Sequence, residues 1–141
     1  MDKIKTATQT YKLQNDVKTF GFRVETFPNG IGEAFHQLVK LFPAGERRSF
    51  YGLVESGKNG NISYYALAEE KFDGEAKRYN YPVKVIEKGN YLAVPVKDWR
   101  SKTDSIKDIF AEMMEDDRVA KGKPCVEWYK SEDEMLCMVP I

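Results

Sequence analysis

Residues 17 to 42 read VKTFGFRVETFPNGIGEAFHQLVKLF, and a change of period in the middle of this stretch decides the fold. Over residues 17 to 27, alternation puts Phe20, Phe22, Val24 and Thr26 on one face and Thr19, Gly21, Arg23 and Glu25 on the other, the two-residue repeat of a strand. Pro28, Asn29 and Gly30 break the repeat. From Ile31 the apolar positions take helical spacing, with Ile31, Phe35, Leu38 and Phe42 in line and Ala34 and Leu41 beside them, until Pro43 and Gly45 stop the run. One strand therefore feeds one amphipathic helix.

Working outward, FYGLVE and ISYYALAE flank a turn of Gly57, Lys58, Asn59, Gly60 and Asn61 and predict an antiparallel hairpin. Residues 71 to 81 are polar, carry Asp73-Gly74 and keep neither period, so they read as a connection. The order then repeats. PVKVIEKGNYLAVPV is a strand segment interrupted at Gly89-Asn90 by a bulge or a tight turn. Thr103, Asp104 and Ser105 are N-cap candidates for a helix carrying Ile106, Ile109, Phe110, Met113 and Met114, and CVEWYK with MLCMVPI makes a last hairpin. Ile31 matches Ile106 and Leu38 matches Met113. The expectation is one α+β domain over residues 1 to 141. It consists of two tandem strand-helix-strand-strand repeats, about 11 to 70 and 81 to 141, in a pseudo-twofold antiparallel sheet. Two helices cannot cover both faces of such a sheet, so they are placed on one face, the other is left free, and a cleft forms where the repeats meet.

Bulk properties remove several function classes. Lysine plus arginine equals aspartate plus glutamate at 22 each, which gives no global field toward phosphate backbones or anionic lipid, so nucleic acid and membrane are not expected partners. No apolar run approaches the roughly 20 residues of a membrane helix, and MDKIKTATQTYK lacks the apolar centre of a signal peptide; the cytoplasm is the expected compartment. Cys125 and Cys137 stand outside any CxxC or cysteine/histidine cluster and read as free thiols, with no metal site. His36 lacks a nucleophile motif or a second ligand and reads as structural. PNGIG and SGKNGN lack the phosphate-cradling patterns and read as turns, and MEDDR reads as a solvated helix end. No cofactor is expected.

The segment richest in chemistry is CVEWYK. Alternation puts Glu127 and Tyr129 on one face, with Val126 and Trp128 on the other. The plain reading leaves Glu127 on a solvated face, as is common in antiparallel sheets. The alternative is a carboxylate among rings, for which Tyr51, Tyr64, Tyr65, Trp99, Trp128 and Tyr129 are the candidates. Tyrosine and tryptophan offer large rigid faces with one polar atom each. A carboxylate among them attracts a cationic or donor ligand through charge and cation–π contact.

The doubled order of elements, the segment VIEKGNYLAVPV and the ending CVEWYK…MLCMVPI together resemble the GyrI-like family, the bacterial transcription activator effector-binding domains. The resemblance covers nearly the whole chain. It implies two lobes around a central cleft that takes amphipathic, often cationic, aromatic molecules, with a glutamate of the penultimate strand in the cleft; Glu127 is the matching position and Tyr129 its wall. It also implies aromatic residues from the first hairpin, Tyr51, Tyr64 or Tyr65. Regulators of this kind carry a DNA-binding domain ahead of the effector domain, whereas about 16 residues precede Val17 here, so a stand-alone form is expected. The expected function is small-molecule binding, regulatory or drug-sequestering, with the ligand as the partner. Two other classes stay open: a hydrolase of strained cyclopropane compounds using Glu127 as general base, and a protein-interaction module.

Overall fold

The computed structural model describes residues 8–57 and 60–141. Lys58 and Asn59 of the expected hairpin turn, and residues 1–7 of the N-terminal segment, lie outside the described residues. The elements run β1 (Gln9–Leu13), β2 (Val17–Arg23), α1 (Ile31–Val39), β3 (Phe50–Ser56), β4 (Ile62–Glu69) and α2 (Glu75–Tyr79). They continue with β5 (Val83–Ile86), β6 (Gly89–Lys97), a 3-10 turn (Trp99–Lys102), α3 (Thr103–Met113), β7 (Cys125–Tyr129) and β8 (Glu134–Pro140). All strands join one antiparallel eight-stranded sheet in the order β1-β6-β8-β7-β3-β4-β2-β5. The class is α+β, as expected from the sequence.

This order forces the sheet to curl. β5 lies on β2 while β6, the next strand in the chain, lies five strand positions from β2. In a flat sheet that separation is roughly 24 Å, whereas the link from Ile86 to Gly89 reaches about 10 Å at full extension. The link from β1 to β2 makes the same crossing in the other direction. The two links meet where the Lys88 N–H donates to Asp16 Oδ1 at 2.8 Å.

Curling corrects one expectation. The sheet face away from α1 and α3 is not free: it closes on itself around Tyr51, Leu53, Leu67, Tyr91, Val126 and Met138, with Tyr11, Leu13, Tyr65 and Trp128 packed against them. β2 is buried on both faces for the same reason, with Thr19, Phe20 and Gly21 all inside, and it ends at Arg23 rather than running to Phe27.

The helices occupy the opposite face. α1 buries Ala34 and Leu38 against Tyr64 and Ala66 of β4. α3 buries Ile106 and Met113 against Leu92, Val94, Cys137 and Val139. Each buried leucine, isoleucine, valine or methionine among these contributes about 1.5 to 3 kcal/mol. β3 and β7 lie between the strands that carry the two helices, β4 and β8. The segment read as a plain connection holds the short α2, whose five residues are too few to display a period. The segment read as one interrupted strand is two, because β5 and β6 leave for opposite parts of the sheet at Glu87 and Lys88.

Candidate functional site

Strand alternation and register carry Glu127 to the centre of the sheet on the helix-bearing face. It pairs with Gly52 of β3 on one side and Cys137 of β8 on the other. Its burial is nearly complete, at 8% exposure. The Tyr64 hydroxyl donates to Glu127 Oε1 at 2.5 Å and the Tyr129 hydroxyl donates to the same oxygen at 2.8 Å. Every buried side-chain oxygen among the described residues has a partner, and these residues offer Oε2 none, so Oε2 is the oxygen left open to the cleft.

Gly52 makes the arrangement possible. A Cβ there would stand 2.1 Å from the Tyr64 hydroxyl oxygen and 2.4 Å from Glu127 Oε1, so any other residue would displace both. Burial raises the pKa of Glu127, while the two phenol donors stabilise the carboxylate and oppose that rise. Tyr64 and Tyr129 are pushed up far enough by burial and by the neighbouring carboxylate to stay protonated donors. Among the described residues no cation pairs with Glu127. A desolvated carboxylate held by neutral donors is left with one unmet demand, for a positive or donor group from outside.

Rings wall the space above Oε2. Trp99 meets Tyr129 edge-on at 4.8 Å, Phe35 of α1 meets Tyr129 at 5.2 Å, and Phe27 stacks on Tyr64 at 5.2 Å. The cleft they bound lies between α1 and α3, has a volume of about 2030 Å³, and is lined also by Ile31, Val39, Ile62, Ile106 and Phe110. Val39 and Ile62, each 52% exposed, place apolar surface on this lining.

The structure brings Glu127, Tyr129, Tyr64 and Trp99 together on this cleft. It does not bring Tyr51, Tyr65 and Trp128 there. Tyr51 and Tyr65 are one residue out of phase with Gly52 and Tyr64, and Trp128 is one out of phase with Glu127, so all three face the opposite core. There Trp128 stacks on Tyr51 at 6.1 Å and donates from Nε1 to Ser49 Oγ at 3.1 Å, and Tyr65 lies under the Lys84 ammonium at 4.2 Å. Alternation had already assigned Trp128 away from Glu127, and the first-hairpin tyrosine that reaches the cleft is Tyr64. Sequence reasoning missed Gly52, Phe27 and Phe35. A glycine inside FYGLVE is itself a signal of close approach; Phe35 has the spacing of an ordinary core position and carries no such signal.

Other chemistry has little footing at this site. Cys125 lines the cleft, but burial raises its thiol pKa, the reverse of what activates a nucleophile. Cys125 and Cys137 are both free thiols. No group of three or more potential metal ligands occurs among the described residues, and none of their helices is long and apolar enough to cross a membrane.

No protein family and no curated protein matches the sequence. Solved structures do match. An integron cassette protein from the mobile metagenome of Vibrio cholerae superposes with a TM-score of 0.68 at 13% identity, over 95% of this chain and 95% of that one. SAV2435 bound to tetraphenylphosphonium gives 0.65 at 14% identity, over 94% and 92%. The EcmrR C-terminal domain gives 0.61 at 15%, over 94% and 95%. At these identities the likeness is one of fold, and the GyrI-like fold expected from the sequence is the fold the chain has.

Proposed function

We propose that this chain is an effector-binding or drug-sequestering domain that takes amphipathic aromatic cations in the cleft between α1 and α3. The observation that carries this reading is Glu127: a buried carboxylate, held by two phenols on one oxygen, open on the other, and without a cation of its own among the described residues. Aromatic walls add cation–π attraction of about 0.5 to 2 kcal/mol per favourable ring and bury the ligand's apolar body. That SAV2435, of the same fold, is bound to tetraphenylphosphonium gives the ligand class a precedent outside this chain.

In this reading the chain is one domain whose two halves are tandem repeats. Sheet order supports it, since exchanging β1, β2, β3 and β4 for β5, β6, β7 and β8 leaves the order unchanged when read from the other end. The cleft then sits on the axis of that exchange, between β3 and β7. Free thiols make the cytoplasm the compartment this reading expects. The geometry favours binding over the hydrolase alternative, because Oε1 is already occupied by both phenol hydroxyls, which stabilise the carboxylate and offset part of the rise that burial gives its pKa.

The test is calorimetric titration of wild type and Glu127→Gln with tetraphenylphosphonium and with neutral triphenylphosphine oxide. Gln keeps the volume and removes the charge. Loss of a buried charge pair costs about 2 to 5 kcal/mol, so phosphonium affinity should drop by roughly thirtyfold or more while the neutral ligand changes little. Equal phosphonium affinity in the two proteins would refute the reading.

A further inference from the structure

The mouth of the cleft has a charge pattern opposite to that of its floor. Lys40, Arg47, Arg100 and Lys107 all line it, all are exposed, and none forms an ion pair with a described residue, whereas the Lys130 ammonium lies 5.1 Å from the Trp128 ring on the other face of the sheet. Among the acids that line it, Glu46 is paired with Arg48 at 2.7 Å, while Glu69, which accepts the Ser49 N–H at 3.1 Å, keeps its charge beside Asp104 and Glu132, three acids against four cations. The rim is therefore net cationic around a single anionic floor residue.

These two charges lie at the ends of one aromatic wall. Glu127 Oε1 accepts from the Tyr129 hydroxyl, Tyr129 meets Trp99 at 4.8 Å between ring centroids, and the Arg100 guanidinium carbon lies 5.3 Å from the Trp99 ring. Carboxylate, phenol, indole and guanidinium thus follow one another from floor to rim. A volume of about 2030 Å³ exceeds the 300 to 1,000 Å³ typical of a drug-sized site, so a compact cation on Glu127 leaves the mouth unfilled.

We propose that the cleft selects amphoteric aromatic molecules, which place a cationic centre on Glu127 and an anionic group, such as a carboxylate two or three ring widths away, on Arg100 and Lys107 at the rim. This rests on the reading of Glu127 above and adds the second recognition element. A pure cation meets attraction at the floor and repulsion at the mouth; an amphoteric ligand meets attraction at both.

Rhodamine 6G and rhodamine 19 share one xanthylium cation and differ in that the first is an ethyl ester where the second is a free carboxylate. Fluorescence anisotropy titration at low salt should give rhodamine 19 the tighter binding by about fivefold, the size of one well-placed exposed pair. The preference should shrink at 0.5 M salt. The double variant Arg100→Gln/Lys107→Gln should weaken the acid and strengthen the ester, so the ratio inverts or closes. Equal affinity for acid and ester in wild type, with both still dependent on Glu127, would overturn the rim's role and leave the floor reading intact. Insensitivity of both dyes to Glu127→Gln would overturn the floor reading and this proposal with it.

Discussion

Burial raises the pKa of Glu127, and the phenols of Tyr64 and Tyr129 offset only part of that rise. The consequence for stability has a definite sign. Between the ordinary carboxylate pKa and the raised folded value, the native state holds a proton that the unfolded chain has released, so stability falls as pH rises through this window. Above it the fold carries a desolvated negative charge without a cation from the described residues. Glu127→Gln removes that charge and should raise Tm at pH 8, with the gain disappearing toward pH 4, where the wild-type carboxyl is protonated. About 1 kcal/mol would move the midpoint of a chain this size by about 3 to 5 °C. Scanning calorimetry at the two pH values checks it, and a variant less stable than wild type at pH 8 would mean that the tyrosine hydrogen bonds outweigh desolvation. A more stable variant at pH 8 would instead fit a carboxylate kept at a cost to the fold, the relation expected if Glu127 serves ligand recognition as proposed. Little of this was legible in CVEWYK alone. Alternation gave the face of Glu127, but its burial depends on Gly52 and Tyr64, 75 and 63 positions away in sequence.

Among the elements, the loop between α1 and β3 is fixed by an interaction that no local pattern announces. Arg48 donates to both Glu75 oxygens at 2.7 and 2.8 Å, to Glu46 Oε1 at 2.7 Å and to the Glu69 carbonyl at 2.7 Å, and its guanidinium lies 3.7 Å from the Phe42 ring centroid. Both side chains of the Arg48–Glu75 pair are 3% exposed. Glu75 also accepts the Lys71 N–H, and Arg48 holds its carboxyl below the usual range. This joins α2 to the loop that lines one side of the cleft. Glu75→Gln strands a buried guanidinium, and breaking a buried pair costs about 3 to 5 kcal/mol, here toward the lower end because Glu46 remains on Nε. Denaturant unfolding at pH 7 should register that loss. For a depressed pKa the contribution is present above the unfolded value and vanishes as pH falls through the folded one, so the two proteins should converge as pH is lowered through the depressed Glu75 value. A difference below about 1 kcal/mol at pH 7 would make the pair a surface-like contact. The sequence displayed β2, α1, α3 and both hairpins because each is long enough to repeat its period. It hid α2 and β1, five residues each, and it hid Arg48, whose partner is 27 positions away.

At the scale of the whole molecule, the order of elements was legible in the sequence and the crossing of the edges was not. Nothing within residues 9 to 23 states that β1 leaves β2 and pairs with β6, or that β5 returns to β2; those pairings are made by Tyr11 opposite Tyr91 and by Phe20 opposite Val83. The exchange has an energetic consequence. Each half lends an edge strand to the other, β3 pairs with β7 across the middle, and the inner core takes Tyr51, Leu53 and Leu67 from one half and Ile86, Tyr91, Val126 and Met138 from the other. A half taken alone would lose a sheet edge, its central pairing and half of that core, and an isolated chain of about 60 to 80 residues has little stability in reserve. Residues 1–80 and 81–141 expressed separately should therefore give amide NMR spectra without dispersion and no cooperative thermal transition, whereas mixing them should restore dispersion and the intact chain should unfold in one step. Reconstitution should also restore binding of a hydrophobic cation, because Tyr64 and Glu127 lie on different fragments and the carboxylate is held only when both are present. A well-dispersed spectrum from residues 81–141 alone would show a lobe that folds without its partner, and would make the cleft a junction between two domains instead of the centre of one.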